Sequence, residues 1–294
     1  MQHRYDYVIV GGGSAGCVMA HRLSADPTVR VLLIEAGIDT PPGGVPEAIL
    51  DSYPMGLFHG DRYIWPGLRV KVTEGRDGQA NVRAYEQGRV MGGSSSINVQ
   101  AANRGLPRDY DEWAALGASG WAWGDVLPYF RKLERDLNFD GPLHGRDGPV
   151  PIRRIGAQDF PPFARAVAEA LGASGLSLRT DQNGDFEDGL FPAACSNEND
   201  RRVSAAAAYL DNATRARPNL SIWAECRVIG MRMAGLRVET ANGGRPDGLA
   251  AAVHALLFYV AAGTVGLWVL DILCGVVRSD RRLGHDLLTG LVVV

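Results

Sequence analysis

The apolar positions of the first 35 residues change period twice. YDYVIV, from Tyr5 to Val10, is a short apolar run, and CVMAHRL, from Cys17, carries its apolar residues at helical spacing. VRVLLIE, from Val29 to Glu35, is near-continuous in β-branched residues and leucine, as a parallel strand covered on both faces requires. With GGGSAG between the first two runs, the pattern predicts strand, glycine turn, helix and strand, a βαβ opening. From Ala36 to Gln87 the pattern is broken by PPGG at 41–44 and by Pro46, Pro54 and Pro66, which predicts irregular excursions. Helical spacing returns at Asp109–Leu116, at Asp125–Asp136 and at Asp159–Gly172. The last two are expected to start on their aspartates, and Phe163, Val167 and Leu171 share one face of the third.

Between these elements lie two long polar, glycine-bearing stretches, DGPLHGRDGPVPIRR and DQNGDFEDGLFPAACSNEND. They predict an α/β chain in which a Rossmann-like βαβ domain is interrupted by an incomplete α+β cap or substrate domain. The expected division is 1–140 for the nucleotide domain, 141–215 for the cap segment and 216–294 for the return to the first domain. Gly248 to Leu270 contains no Lys, Arg, Asp or Glu over 23 residues, long enough for a membrane-spanning helix, and Arg278, Arg281 and Arg282 follow it. Against that, the stretch is rich in Ala and Gly, contains His254, and breaks at Ala262–Gly266 after a run that suits a buried strand. A buried strand, turn and helix is the expectation, and membrane attachment through 248–270 is the alternative.

At 294 residues with 46% apolar and 21% charged content, the chain has an ordinary composition for a folded domain pair. Its 30 basic and 33 acidic residues leave a net charge of −3, which gives no field to attract nucleic acid or an anionic membrane. Cys17, Cys195, Cys226 and Cys274 are far apart, with no C-x-x-C and no histidine at ligand spacing, so no metal site is expected. The apolar run at the N-terminus is too short for a signal-peptide core, which makes the cytoplasm the default compartment and the sequons at Asn212 and Asn219 chance matches.

Chemistry enters with Gly11-Gly12-Gly13-Ser14-Ala15-Gly16, a G-x-G-x-x-G between a predicted strand and helix, followed by Glu35 at the end of the next strand. Gly11 permits the tight turn, Gly13 lets backbone approach a pyrophosphate, and Gly16 lets helix and strand pack closely, while Glu35 can accept from a ribose hydroxyl. The spacing predicts dinucleotide binding. Gly12-x-Ser14-x-Gly16 also matches the serine elbow of α/β-hydrolases, but on the first strand it would have no earlier strands to build an oxyanion loop. A second constellation, GRVMGGSSSINVQAANRG from Gly88 to Gly105, offers backbone amides and hydroxyls to a phosphate or a polar ring edge. Asp181-x-Asn183-x-Asp185 starts like a calcium loop, but Phe186 and Pro192 stand where Gly and Glu are needed, so a solvated acidic loop is expected. Trp113, Trp121 and Trp123 are read as packing residues of the cap.

YDYVIVGGGSAG with Glu35, then GRVMGGSSSIN, then RDYDEWAALGASGWAWGDVLPYFRKLE together resemble the glucose–methanol–choline (GMC) oxidoreductase family. Weaker echoes are HGRDGPVPI, RRVSAAAAYLDNATRARPNLSIWAECRV and VAAGTVG, and the resemblance runs over about residues 4–235, closest to the choline- or alcohol-dehydrogenase-like branch. It implies FAD. By position, Gly11, Gly13, Ser14, Ala15 and Gly16 would hold the pyrophosphate, Glu35 the ribose, with Ala36 beside it. Val90, Gly93, Ser94, Asn98 and Val99 would line the diphosphate and flavin end, and Val228 would pair with adenine through its backbone. Ile97 stands where some relatives carry a flavin-linking histidine, so non-covalent FAD is implied. The implied reaction oxidises a primary alcohol to an aldehyde by hydride transfer to flavin, with a small-molecule alcohol and an unidentified electron acceptor as partners. The family's catalytic histidine belongs to a C-terminal half that has no counterpart here, so no catalytic residue is assigned. A non-catalytic FAD-binding remnant and an NAD-dependent dehydrogenase stay as alternatives.

Overall fold

A computed structural model describes residues 4–53, 57, 62–74, 80–228, 238–240 and 291–293. The chain is mixed α/β and divides into two compact units between Arg227 and Val228. The first unit opens with β1 (Tyr7–Val10), α1 (Ser14–Leu23) and β2 (Val31–Ile34), the expected strand, helix and strand. It continues with α2 (Glu47–Leu50), β3 (Arg69–Glu74) and β4 (Ala80–Ala84), then α3 (Pro107–Ala115), α4 (Trp123–Leu133), β5 (Glu134–Asp136) and β6 (Val150–Ile152). The remaining elements are α5 (Pro162–Ala173), β7 (Asn197–Glu198), β8 (Arg201–Arg202), α6 (Ala205–Tyr209), α7 (Asn212–Arg215) and β9 (Leu220–Trp223). In the second unit β10 (Val238–Thr240) pairs antiparallel with β11 (Leu291–Val293).

The organising sheet of the first unit is β1-β2-β9, parallel throughout, with Tyr7 opposite Val31 and Val31 opposite Leu220. All four residues of β2 are buried, as its unbroken apolar run requires of a central strand. At the edge, β1 leaves Tyr7 and Val10 about half exposed. Gly16, Cys17 and Ala20 are the buried face of α1, and their small size lets the helix lie close to the sheet. Met91, Leu33, Tyr209 and Leu210 complete this core. The turn from α1 to β2 is closed by Asn219, whose Nδ2 donates to the carbonyls of Ser24, Asp26 and Val29 at 3.1, 2.8 and 2.7 Å. This single amide ties the start of β9 to the first crossover. A second core gathers Ile49, Leu57, Tyr63, Val90 and Ile97, with Ile38, Val45 and Ile64 packed against it.

The three later helices exist but start elsewhere than expected. α3 begins at Pro107 and α4 at Trp123, because Asp109 and Asp125 occupy the third helical position and accept from the amides of Leu106 and Ala122 at 2.9 and 3.2 Å. The aspartate is the reciprocal half of a capping arrangement, not the cap itself. α4 stops at Leu133, and 134–136 pair parallel with β6 instead of extending the helix. α5 begins at Pro162, and the face shared by Phe163, Val167 and Leu171 is not buried: Phe163 is 82% exposed and none of the helix's residues is buried.

Candidate functional site

Two glycine segments meet at the end of the parallel sheet. The first is the turn 11–13, where Gly11 has φ +96° and donates its amide to Ile34 O at 2.8 Å. Gly16 faces the Gly11 carbonyl so closely that a Cβ would overlap it, which is the tight helix–strand contact expected of the third glycine. Gly13 caps α1 with no side chain, and Ser14 and Ala15 are exposed. The first-turn amides of 14–16 therefore have no partner among the described residues, and they carry the positive end of the helix dipole.

Glu35 sits just beyond β2, 5% exposed. Its Oε2 accepts from Gly12 N and its Oε1 from Gly37 N, both at 2.7 Å. Its backbone is held as well, Glu35 N donating to Trp223 O and Cys226 N to Glu35 O at 2.8 and 2.9 Å. The carboxylate is thus fixed beside the glycine turn, each oxygen keeping one lone pair without a partner among the described residues, and half-buried Ala36 follows it.

The second segment reaches the first through Gly92 N, which donates to Gly12 O at 2.7 Å. A short 3-10 turn, Gly93–Ser96, is pinned from within: Ser95 Oγ donates to Gly92 O and Ser96 Oγ to Met91 O, at 2.6 and 2.8 Å. Ser94, Asn98 and Val99 are exposed on this segment. Val90 and Ile97 are turned into the second core, and what Val90 supplies to the turn is its carbonyl, which accepts from Gly93 N at 2.7 Å. Of the expected site residues, Gly11, Gly13, Ser14, Ala15, Gly16, Glu35 and Ala36 come together, and Gly93 brings the 94–99 segment to them. Val228 opens the second unit and is half-buried.

A buried ionic cluster was not legible in the motifs. Glu134, Asp136 and Asp181 meet Arg104, Arg154 and His144, all at least nine-tenths buried. His144 Nε2 lies 2.9 Å from Asp181 Oδ2, and Nδ1 lies 3.0 Å from Asp136 Oδ2, near enough for an ion pair but off the line of a good hydrogen bond. Arg154 bridges Asp136 and Asp181 at 2.8 Å each, and Arg104 pairs with Glu134. Asp136, then Asp181 and Glu134, hold the imidazole protonated against the opposing effect of burial, pushing its pKa up to about 11. Burial alone would raise the Asp136 carboxyl, but His144, the Asn138 amide and Arg154 keep it far below the usual range. Glu134, Asp136 and His144 could each offer one ligand atom to a cation. The two guanidiniums already neutralise those carboxylates, so the arrangement is a charge-balanced knot.

The expected solvated acidic loop is corrected by the same cluster. Asp181 and Asn183 are buried, and Asn183 joins Arg104 N to Ala102 O through its carboxamide at 3.0 Å on each side. Asp181 is thereby a counter-ion of His144 and Arg154. The tryptophans pack around Tyr110, with Trp113 and Trp123 at ring separations of 5.4 and 5.7 Å, while Trp113 and Trp121 stay about half exposed. Cys17 is buried with its thiol pushed up to about 12 by burial, and Cys195 and Cys226 are free. Ser14, the serine of the alternative elbow pattern, is exposed at the first position of α1. The apolar stretch 248–270 and Cys274 lie outside the described residues, among which no helix is long and apolar enough to cross a membrane.

A family model described as GMC oxidoreductase matches residues 5–270, reaching past residue 235, where the motifs become hard to follow, and through the apolar stretch. The 5-(hydroxymethyl)furfural oxidase of Methylovorus sp. (strain MP688) is 51% identical over 235 residues, 79% of this chain and 44% of that protein. Pyridoxine 4-oxidase from Mesorbium loti superposes with a TM-score of 0.69 at 35% identity, over 81% of this chain and 45% of that one. An FAD-dependent oxidoreductase from Chaetomium thermophilum gives 0.64 at 30% identity, over 74% of this chain and 38% of that one. The chain thus spans less than half the length of these relatives.

Proposed function

The chain belongs to the GMC oxidoreductase family, and from that premise we propose that it binds FAD non-covalently and forms the cofactor-holding part of an enzyme that oxidises a primary alcohol to an aldehyde. The observation that carries this reading is the meeting of the 11–16 turn, Glu35 and the 92–99 segment through Gly12, with its amide on Glu35 and its carbonyl on Gly92.

The residues fit the group. Unpartnered amides at 14–16 suit a diphosphate that approaches the bare backbone of Gly11 and Gly13. The Glu35 lone pairs that have no partner among the described residues suit ribose hydroxyls, with Ala36 beside them. Gly93, Ser94, Asn98 and Val99 would line the flavin end, with Val90 shaping their turn. With Ile97 in the core and lacking any nucleophile, nothing at that position forms a flavin link. Bound FAD supplies the hydride acceptor; this chain's part is to hold it and exclude water from its diphosphate.

On this reading 1–140 and 216–294 belong to a Rossmann-like FAD domain and 141–215 to a cap segment, supported at one point by β9 joining the β1-β2 sheet. The substrate class we favour is a hydroxymethyl group on an aromatic ring, since two relatives are named for 5-(hydroxymethyl)furfural and pyridoxine.

The purified chain should retain FAD through gel filtration at about one per chain and ignore NAD in competition. Loss of all FAD would overturn the reading. In a longer enzyme that contains this part, anaerobic addition of 5-(hydroxymethyl)furfural or pyridoxine should bleach the flavin faster than choline does. Retained FAD there with no bleaching by any of the three would leave a binder and remove the oxidation.

A further inference from the structure

Arg202, on β8, is 2% exposed, and among the described residues no carboxylate lies within ion-pair distance of it. Asp51 acts on it only at longer range, and burial draws its pKa down to about 10. A buried cation without a counter-ion costs several kcal/mol of desolvation, so its hydrogen bonds must repay a large debt. They go to two segments, and Nη2 has no partner among the described residues. Nε donates to Ile49 O at 2.9 Å, at the end of α2, and Nη1 serves Ser95 O, Asn98 O and Asn98 Oδ1 at 3.3, 2.6 and 3.0 Å.

The contact with Asn98 fixes which way its carboxamide faces. Oδ1 also accepts from Gln100 N at 2.9 Å, so both neighbours of this atom are donors, and only the oxygen can face them. Gln100 is itself held at φ 63° by Ser52 O and Asn197 Nδ2, at 2.8 and 3.0 Å from its own carboxamide. The nitrogen, Nδ2, is left without a partner among the described residues, on an exposed side chain beside Val99. A freely rotating asparagine would present donor and acceptor equally; this one presents a donor.

We propose that Arg202 is a positioning residue: by holding both oxygens of Asn98 it locks the 95–98 segment and commits the Asn98 amide nitrogen as a hydrogen-bond donor to the flavin end of the cofactor. The inference rests on the FAD reading above and names a residue that the glycine motifs do not contain. It separates the flavin end, where Arg202 acts, from the adenosine end, where Glu35 acts.

The test compares FAD with ADP, which lacks the flavin, by titration calorimetry of the full chain. Arg202→Met should weaken FAD about tenfold or more, the equivalent of one lost hydrogen bond near 1.4 kcal/mol, and leave ADP within about twofold. Arg202→Lys, which keeps the charge but not the fork, should fall between. Asn98→Asp keeps an acceptor for Arg202 and gives it a counter-ion, so the apo chain should melt no lower than wild type while FAD binding still weakens about tenfold. Equal losses for FAD and ADP in Arg202→Met, or unchanged FAD binding in Asn98→Asp, would overturn the proposal alone. A wild-type chain that binds ADP but not FAD would overturn the flavin reading with it.

Discussion

Gly93→Ala is expected to abolish FAD retention, with affinity falling by about a hundredfold or more, while Gly43→Ala leaves it intact. Gly93 has φ +56°, and a Cβ there would stand 2.7 Å from Gly13 Cα. That neighbour is backbone, not the end of a flexible side chain, so the two loops must part. They part where Gly92 N meets Gly12 O, and Gly12 N in turn meets Glu35. Opening this seam displaces the 94–99 segment from the 11–16 turn and frees Glu35 from one of its two amides. Gly43 provides the control: its φ is +80°, so alanine is strained there too, by about 1 kcal/mol, yet nothing lies within 4 Å of the added carbon. A shared loss of FAD in both variants, read by equilibrium dialysis, would mean that general destabilisation and not the loop contact governs binding.

The glycine seam was half legible in the sequence. GGGSAG and Glu35 announce their roles because tight turn, helix start and strand end lie within 25 residues, and local spacing encodes local geometry. GGSSSIN could be read only as amide-rich, since its apposition to Gly12 spans about 80 residues of chain and leaves no periodicity. The same limit hid the buried ions. His144 and Asp181 each sit in a polar, glycine-rich stretch of the kind that marks a solvated loop, and nothing local says that two such loops bury one another. The starts of α3 and α4 were misread by two residues for a simpler reason: an aspartate at the third helical position and one at the cap give the same sequence signal. Phe163 is the reverse case, part of an apolar stripe whose period was read correctly and which no described residue buries.

The largest stability effect is expected at His144. His144→Gln removes one of three cations facing three carboxylates and leaves a net negative charge in a buried site, which should cost about 3–5 kcal/mol in urea unfolding at pH 6. If charge balance is the cause, adding Asp181→Asn, which removes the carboxylate 2.9 Å from Nε2, should recover more than about 1 kcal/mol. Strictly additive losses would assign the cost to packing. The pH dependence follows from the same groups. His144 has its folded pKa raised from 6.5 to about 11, so its contribution is fully present below about pH 6.5 and declines as pH rises toward 11, by at most about 1.4 kcal/mol per unit. The carboxyls of Glu134, Asp136 and Asp181 are lowered from ordinary values of 4.5, 3.8 and 3.8, so their contribution is present above those values and lost as pH falls through the folded ones. Stability should therefore peak between about pH 4.5 and 6.5 and slope downward through neutrality. In His144→Gln the downward slope above pH 6.5 should flatten while the acid limb remains. An unchanged alkaline slope in that variant would show that His144 is neutral in the fold, and the knot would then be an ordinary hydrogen-bonded cluster with one excess carboxylate.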